Sequence, residues 1–329
     1  MRLRQIICTA TAACLVALAG TVAAQQAPEP EQFVDDLNHL FGQHPGARAV
    51  HAKGIVLEGS FMAAGGARAI SKAIHLQGGP VPVTVRFSDF AGIPAIADQH
   101  AMAAPYGMAI KFHLPGGLAT DLVAHSHNGF PSPTGRDFHE LLAAMYGSDP
   151  KGPKPSPLDS YLAAHPVARA FLTQPHRVPA SYATLTYFGV NAFEFTPEKG
   201  KAVFGRYQLR AAAGQQFLGE AEAAGKDPNF LREELRTRIA GEAIRYKLVL
   251  QLAAPGDRLD DPSTVWPENR QVVELGTLVL TRLAADNDAA QARLLFLPVA
   301  LPDGINAADP MIDVRSDVYP ESFRRRNRH

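Results

Sequence analysis

Eight short runs in this chain read as β-strands, the first four rich in β-branched and apolar residues and the last four alternating apolar with polar, and that pattern constrains the fold more than any other feature. Four lie in the first half: VHAKGIVLEGSF, VPVTVRFS, YGMAIKFHL and LATDLVAH, separated by Gly and Pro clusters. Four lie in the second half: ATLTYFGVNAFEFT, GKAVFGRYQLRA, IRYKLVLQLAA and RQVVELGTLVLTRL. Strands of this kind bury one face, and an open sheet of eight would leave two exposed edges. Closure into an antiparallel barrel removes both edges. The expected architecture is therefore α+β, with a barrel of about eight strands and helices inserted between and after them.

The helical signals fall between the strands. EQFVDDLNHLFGQHPG places apolar residues at helical spacing and ends on Pro45 and Gly46, so a helix is expected over Glu31 to Phe41. TGRDFHELLAAMYG reads as a second, amphipathic helix. MAAGGARAISKAIHL reads as a short helix between the first two strands, and AGQQFLGEAEAAG and FLREELRTRIAGE as helices inserted after GKAVFGRYQLRA. The Pro-rich GSDPKGPKPSP is either a boundary or a long crossing loop; one domain over residues 25 to 329 is the default.

The chain starts with MRLRQIICTATAACLVALAGTVAAQQ: a basic start, an apolar run from Ile6 to Ala19, and small residues at Val22 and Ala24. This is the pattern of a secretory signal peptide over residues 1 to 24, and it implies a periplasmic destination. Both cysteines, Cys8 and Cys14, fall inside it, so the mature chain is expected to hold no disulfide and no thiolate ligand. No run is long enough to span a bilayer, which takes about 20 apolar residues. With 32 basic and 32 acidic residues no global field draws the chain to nucleic acid; the terminal RRRNRH is read as a solvated tail.

Near the C-terminus, DPMIDVRSDVYPESFRRR puts Arg315 and Tyr319 four apart, on one face of an expected helix. A guanidinium beside a phenol, with a ferric ion in front of it, favours the phenolate and makes Tyr319 a plausible anionic iron ligand. Alone, the pair is an ordinary helical contact. In company with RAVHAKG, VRFS and TDLVAHSHNGFPSPTGRDF, it resembles the catalase superfamily, in particular the small catalase-related peroxidases that lack the long C-terminal extension.

The resemblance covers nearly the whole mature chain and implies a noncovalent haem b. It implies Tyr319 as axial iron ligand with Arg315 beside it, and His51 as distal acid/base with Ser88 as a hydrogen-bond donor to it. It further implies Arg48 and Arg86 near the haem propionates, Phe138 stacked on the porphyrin and Ser322 at a small-residue position. Two positions depart from the pattern: His125 stands where an asparagine is expected, and Asp317 replaces an apolar residue. His125 can act as the distal donor in the asparagine's place and, unlike an amide, can titrate near neutral pH.

His125 and His127 together invite a metal reading, but no third ligand stands at a recognisable spacing. No CxxCH, P-loop or dinucleotide-binding glycine turn is present. The implied activity is reduction of organic hydroperoxides, hydrogen peroxide or both, with an unidentified organic electron donor and possible homo-oligomers. The rivals are a hydroperoxide isomerase on the same fold and a non-catalytic haem or apolar-ligand carrier.

Overall fold

The structure is a computed structural model and describes residues 28–328. The expected leader at 1–24, with Cys8 and Cys14, lies outside the described residues. Among the described residues, ten strands form one sheet: β1 (Gly54–Ala63), β2 (Pro80–Ser88), β3 (Gly107–His113), β4 (Ala119–His125), β5 (Tyr187–Phe188), β6 (Phe193–Phe195), β7 (Val203–Ala211), β8 (Ile244–Leu252), β9 (Val272–Leu283) and β10 (Ile305–Ala307). β1 pairs with β2 and β9, and β7 pairs with β5 and β8, so β1, β2, β3, β4, β5, β7, β8 and β9 close a ring of eight antiparallel strands. β6 and β10 extend it beside β7.

The barrel is closed because its inward positions are almost unbroken hydrocarbon. Ile55, Leu57, Val85, Phe87, Ile110, Leu248 and Leu278 are buried inside it, and each such side chain contributes roughly 1.5–3 kcal/mol on leaving water. The intervening residues of β1–β4 face outward, and Arg86, Ser88, Ala109 and Val123 among them line the cavity that the helices enclose.

Among the described residues, eight α-helices accompany the sheet: α1 (Pro30–Phe41), α2 (Gly135–Tyr146), α3 (Pro157–Ala164), α4 (Pro166–Thr173), α5 (Glu220–Ala224), α6 (Phe230–Gly241), α7 (Asn287–Arg293) and α8 (Met311–Arg326). Val34, Leu37 and Phe41 of α1 pack with Leu142 of α2 and, from the turns beside β1 and β2, with Ala49 and Ala91. Phe138 of α2 and Val318 of α8 close on this second cluster from its edge.

Three expected elements differ. The stretch MAAGGARAISKAIHL forms no α-helix: β1 runs to Ala63, and two 3-10 turns follow at Ala67–Ala69 and Ile74–Leu76. Its backbone is tied elsewhere, Lys72 N–H donating to Thr196 O and buried Ser71 Oγ donating to Gly304 O. The run ATLTYFGVNAFEFT breaks into a 3-10 turn, β5 and β6, because the chain turns at Val190 and Asn191 to reach α8. In AGQQFLGEAEAAG only Glu220–Ala224 is helical; Gly214 has φ +73° and Phe217 is bridged to Pro179. α3, α4 and α7 were not expected, although Ser156 and Asp159 form the capping box that starts α3. Strands from both sides of GSDPKGPKPSP share the one closed sheet.

Candidate active site

One large cavity, with about 1630 Å³ of empty space including its mouth, lies between the outer face of β1–β4 and helices α1, α2 and α8. Its wall is mostly apolar. The residues expected to bind the cofactor or act on the peroxide line it: Arg48, His51, Arg86, Ser88, His125, Phe138, Arg315 and Tyr319, with Ser322 beside them; Asp317 and His127 are not part of its lining.

The barrel wall is built by register. Gly54, Ser88, Gly107 and His125 are successive partners across β1, β2, β3 and β4, so they form one row on one face. The two glycines make room for larger groups from the neighbouring strands and turn. A Cβ on Gly54 would stand 2.4 Å from Arg86 Nη2, and one on Gly107 would stand 2.8 Å from His51 Nδ1 and Cε1. His51 is thus laid flat against the backbone of β3.

His51 has φ +56°, and among the described residues it is the non-glycine residue found in that region. Its Nδ1 lies 3.1 Å from Asp89 O and 3.0 Å from Ser88 Oγ. A backbone carbonyl can only accept, so Nδ1 carries the proton and Nε2 is the free basic nitrogen. Ser88 therefore shares that proton as a second acceptor, the reverse of the direction expected. Although its ring is open to the cavity, His51 is withdrawn from bulk water; desolvation first, then Arg86, pushes it down to about 3. It is neutral at working pH.

His125 has the complementary tautomer. Its Nδ1 accepts from His127 N–H at 3.4 Å, which leaves the proton on Nε2, and Nε2 is buried without a protein partner. Desolvation, then His127 and His51, pushes His125 down to about 3, so the expectation that it titrates near neutral pH is corrected. His127 instead packs edge-on against Phe171, and among the described residues no third His, Cys, Asp or Glu joins the pair as a metal site.

The helical wall comes from α8. Met311, Val314, Arg315, Val318, Tyr319, Ser322 and Arg326 recur at helical spacing and face the cavity. Arg315 donates to Tyr319 Oη from Nε at 3.0 Å and from Nη2 at 2.8 Å. Its Nη1 donates to Asn191 Oδ1, and Asn191 Nδ2 donates to Asp309 Oδ2 at 2.8 Å. This chain fixes the guanidinium, which in turn fixes the phenol oxygen. Phe138, in the first turn of α2, lies in contact with Phe33 and Phe130, with ring centroids 6.4 and 5.0 Å away.

At one end of the cavity three guanidiniums meet. Arg48 Nη2 donates to Gln291 O and Leu294 O, Arg86 to Gln291 Oε1, His51 O and Ala52 O, and Arg326 Nη2 to Leu294 O at 2.6 Å. Every one of these acceptors is uncharged. Arg326 Nε is buried with no partner at all. Burial foremost, with mutual repulsion at Arg48 and Arg86, pushes all three down from the usual arginine range, the signature of cations lacking a counter-anion. Arg326 corrects the reading of RRRNRH as a solvated tail: it is 8% exposed, and Arg325 pairs with Asp35 and Glu321. The signal was available, since Arg326 stands two helical turns beyond Tyr319 on the same face.

The model of the family described as Catalase matches residues 22–328. The chain belongs to the catalase family. A catalase-related peroxidase of Mycolicibacterium paratuberculosis is 37% identical over 303 residues, covering 90% of this chain and 94% of that one. Another, of Synechococcus elongatus, is 32% identical over 91% of this chain and 89% of the relative. A solved bacterial catalase superposes with a TM-score of 0.74 at 20% identity, over 99% of this chain and 68% of its own, and carries the fold comparison alone. This member of the family is an oxidoreductase acting on peroxide. Among the described residues, no helix is long and apolar enough to cross a membrane.

Proposed function

We propose that this chain is a haem b peroxidase that reduces organic hydroperoxides, hydrogen peroxide or both at the expense of an organic electron donor. The observation that carries this is the chemistry of the one cavity. A phenol oxygen held by two guanidinium donors faces it from α8, a neutral imidazole faces it from the barrel wall, and three arginines without carboxylate partners stand at one end. Two relatives named as catalase-related peroxidases, similar over about nine-tenths of the chain, support the same reading.

The residues fit the group. Tyr319 would hold the iron through its phenol oxygen, which Arg315 keeps in place. Arg48, Arg86 and Arg326 would take the two propionates, whose charge answers the unpaired guanidiniums and the free Arg326 Nε. Phe138 and the apolar side chains of α1 and α8 would bracket the ring. Bound there, haem supplies the electron transfers that peroxide reduction requires.

The chain's own part is to bind, orient and move one proton. His51 Nε2, unprotonated because Nδ1–H is spent on Asp89 O, takes the proton from the hydroperoxide and returns it to the leaving oxygen, so that neither alkoxide nor hydroxide is expelled. His125 Nε2–H donates to the peroxide and holds it for that transfer. The leader-like first 24 residues support export to the periplasm, tested by N-terminal sequencing of the secreted protein.

The test is the absorption spectrum of the haem-reconstituted chain beside Tyr319→Phe, followed by a hydroperoxide and an oxidisable dye. The reading expects a high-spin ferric spectrum altered in the variant, with dye oxidation in the wild type alone. Failure of the wild type to take up haem would overturn it.

A further inference from the structure

Behind His51, on the far side of its backbone, lies a dry polar cluster that peroxide chemistry leaves unused. The side chains of Lys53, Asp89 and Asp98 are all 0% exposed. Lys53 Nζ spends its donors on Asp98 Oδ1, on Ile96 O at 2.8 Å and on Pro228 O at 2.7 Å. It comes no nearer to Asp89 Oδ2 than 3.7 Å. Asp98 also accepts Leu231 N–H at 2.7 Å through Oδ2. Asp98 is thus fully provided for, and Asp89 is not.

Asp89 Oδ1 accepts the Tyr182 hydroxyl at 2.6 Å, while Oδ2 is buried with no donor. Two carboxyls share one lysine in a place closed to bulk solvent, so the balanced state has one proton between them. An Asp89 carrying it on Oδ2 donates to Asp98, the carboxylate facing it; an Asp89 without it leaves a bare, unsolvated oxygen. Burial first, then Asp98, pushes the Asp89 carboxyl well above the usual carboxylate range, in agreement with that count. The other ionisable groups that face the cluster are Tyr106, whose hydroxyl donates to Asp98 O at 2.8 Å, Tyr187, and Arg86 across the strand.

Asp89 and His51 belong to two segments laced together. Asp89 N–H donates to Lys53 O at 3.1 Å, His51 N–H donates to Phe90 O at 2.6 Å, and His51 Nδ1–H donates back to Asp89 O. The lacing holds His51 in its left-handed backbone conformation, which a histidine does not keep unless its surroundings over-determine it. Whatever moves Asp89 therefore moves the acceptor that decides which ring nitrogen of His51 is basic.

We propose that Asp89 is a positioning residue for His51: the Asp89–Asp98–Lys53 cluster fixes the turn whose carbonyl sets the working tautomer, and it does so while the two carboxyls share a proton. Loss of that proton places two carboxylates against each other in a dry pocket with one lysine, and the turn gives way. The effect on turnover rests on the reading of His51 as the acid/base; the effect on the His51 ring does not.

The test follows the His51 ring nitrogens by NMR in the full-length, 15N-histidine-labelled chain before haem is added, titrated from acid to alkaline pH. The wild type is expected to show the Nδ1–H pattern with an inflection above neutrality. In Asp89→Asn, whose amide still accepts from Tyr182 and donates to Asp98, the pattern is expected to persist with that inflection gone. Asp89→Leu, where it folds, loses the pattern at every pH. The same inflection in Asp89→Asn as in the wild type, or an intact pattern in Asp89→Leu, would overturn the proposal. Hydroperoxide turnover of the haem-loaded variants is read in parallel. If the ring responds and turnover loses its alkaline limb in Asp89→Asn, both readings hold. If the ring responds and turnover does not, Asp89 still positions His51 and the acid/base role of His51 falls.

Discussion

Gly107→Ala perturbs the geometry of the site without replacing any group that carries the proposed chemistry. The added Cβ would stand 2.7 Å from Ser88 Oγ and 2.8 Å from both Cε1 and Nδ1 of His51. Non-bonded carbon contacts settle at about 3.5–4.0 Å, so the imidazole must retreat by roughly 0.7–1.2 Å or swing out of its pocket. β3 cannot yield instead, because Gly107 is held in register by Ser88 on one side and His125 on the other. A displacement near 1 Å in a proton-transferring group costs about 10²-fold in rate. The overpacking itself costs about 1–3 kcal/mol of stability, which a chain of this size tolerates. Tyr319, Arg315, Arg48 and Arg326 are untouched, so haem uptake should survive. The assay is steady-state dye oxidation with a hydroperoxide, beside haem titration and a denaturant curve. Undiminished turnover with normal haem uptake would refute the placement of His51 over Gly107 and with it the acid/base role.

Three further changes separate the remaining parts. Arg326→Met removes one charged donor, whose hydrogen bonds are worth about 1.5–3 kcal/mol each, so haem titration should show uptake weakened about 10- to 100-fold with the bound spectrum unchanged. His125→Leu deletes a neutral donor and should lower turnover by about tenfold, whereas His125→Asn, which still donates, should recover most of it; equal rates in the two would remove His125 from the mechanism. His75 is buried in the barrel with Nδ1 unpartnered, and desolvation pushes it down to about 4. Because the unfolded chain binds its proton from about pH 6.5 downward while the native one does not, stability is lost as pH falls from about 6.5 towards 4. At pH 5 that single group costs about 2 kcal/mol. His75→Leu should therefore unfold later than the wild type at pH 5 relative to pH 7.5, as followed by denaturant titration.

Period-two alternation made the barrel legible because each ring strand buries one face in a shared interior, so Ile55, Leu57, Val85 and Phe87 announce themselves locally. The breaks in the ATLTYFGVNAFEFT run were not legible, since they answer to partners far along the chain: Asn191 turns aside for Arg315 and Asp309, more than a hundred residues away. The same limit hid α7, whose Gln291 and the adjoining Leu294 matter for the carbonyls they offer to Arg48, Arg86 and Arg326. Arg326 was misjudged for a different reason. A basic run at a chain end is usually solvated, and charge pattern alone does not reveal that every fourth or third residue of α8 has already been committed to the cavity. Directions of hydrogen bonds were also beyond the sequence: Ser88 was placed beside His51 correctly, but only the Asp89 carbonyl shows which partner owns the proton.

The arrangement divides the work between two kinds of structure, and this explains why its parts should fail independently. The proposed proton handling sits on the barrel wall, where Gly54, Ser88, Gly107 and His125 share one register row and cannot shift without disturbing four strands. The proposed iron ligand sits on one helix, where Arg315 and Tyr319 are locked by helical spacing and by Asn191. The three arginines couple the two, since Arg86 rises from β2, Arg48 from the turn before β1 and Arg326 from the last turn of α8. With no carboxylate among their hydrogen-bond partners, and only Arg86 near a buried carboxyl, that of Asp89, an anion in the cavity would relieve their mutual repulsion. On the proposed function a dianionic cofactor would do more than occupy the space: by neutralising Arg48, Arg86 and Arg326 together it would draw the helical wall and the barrel wall into one unit, and haem loading should raise the unfolding temperature of the wild type more than that of Arg326→Met.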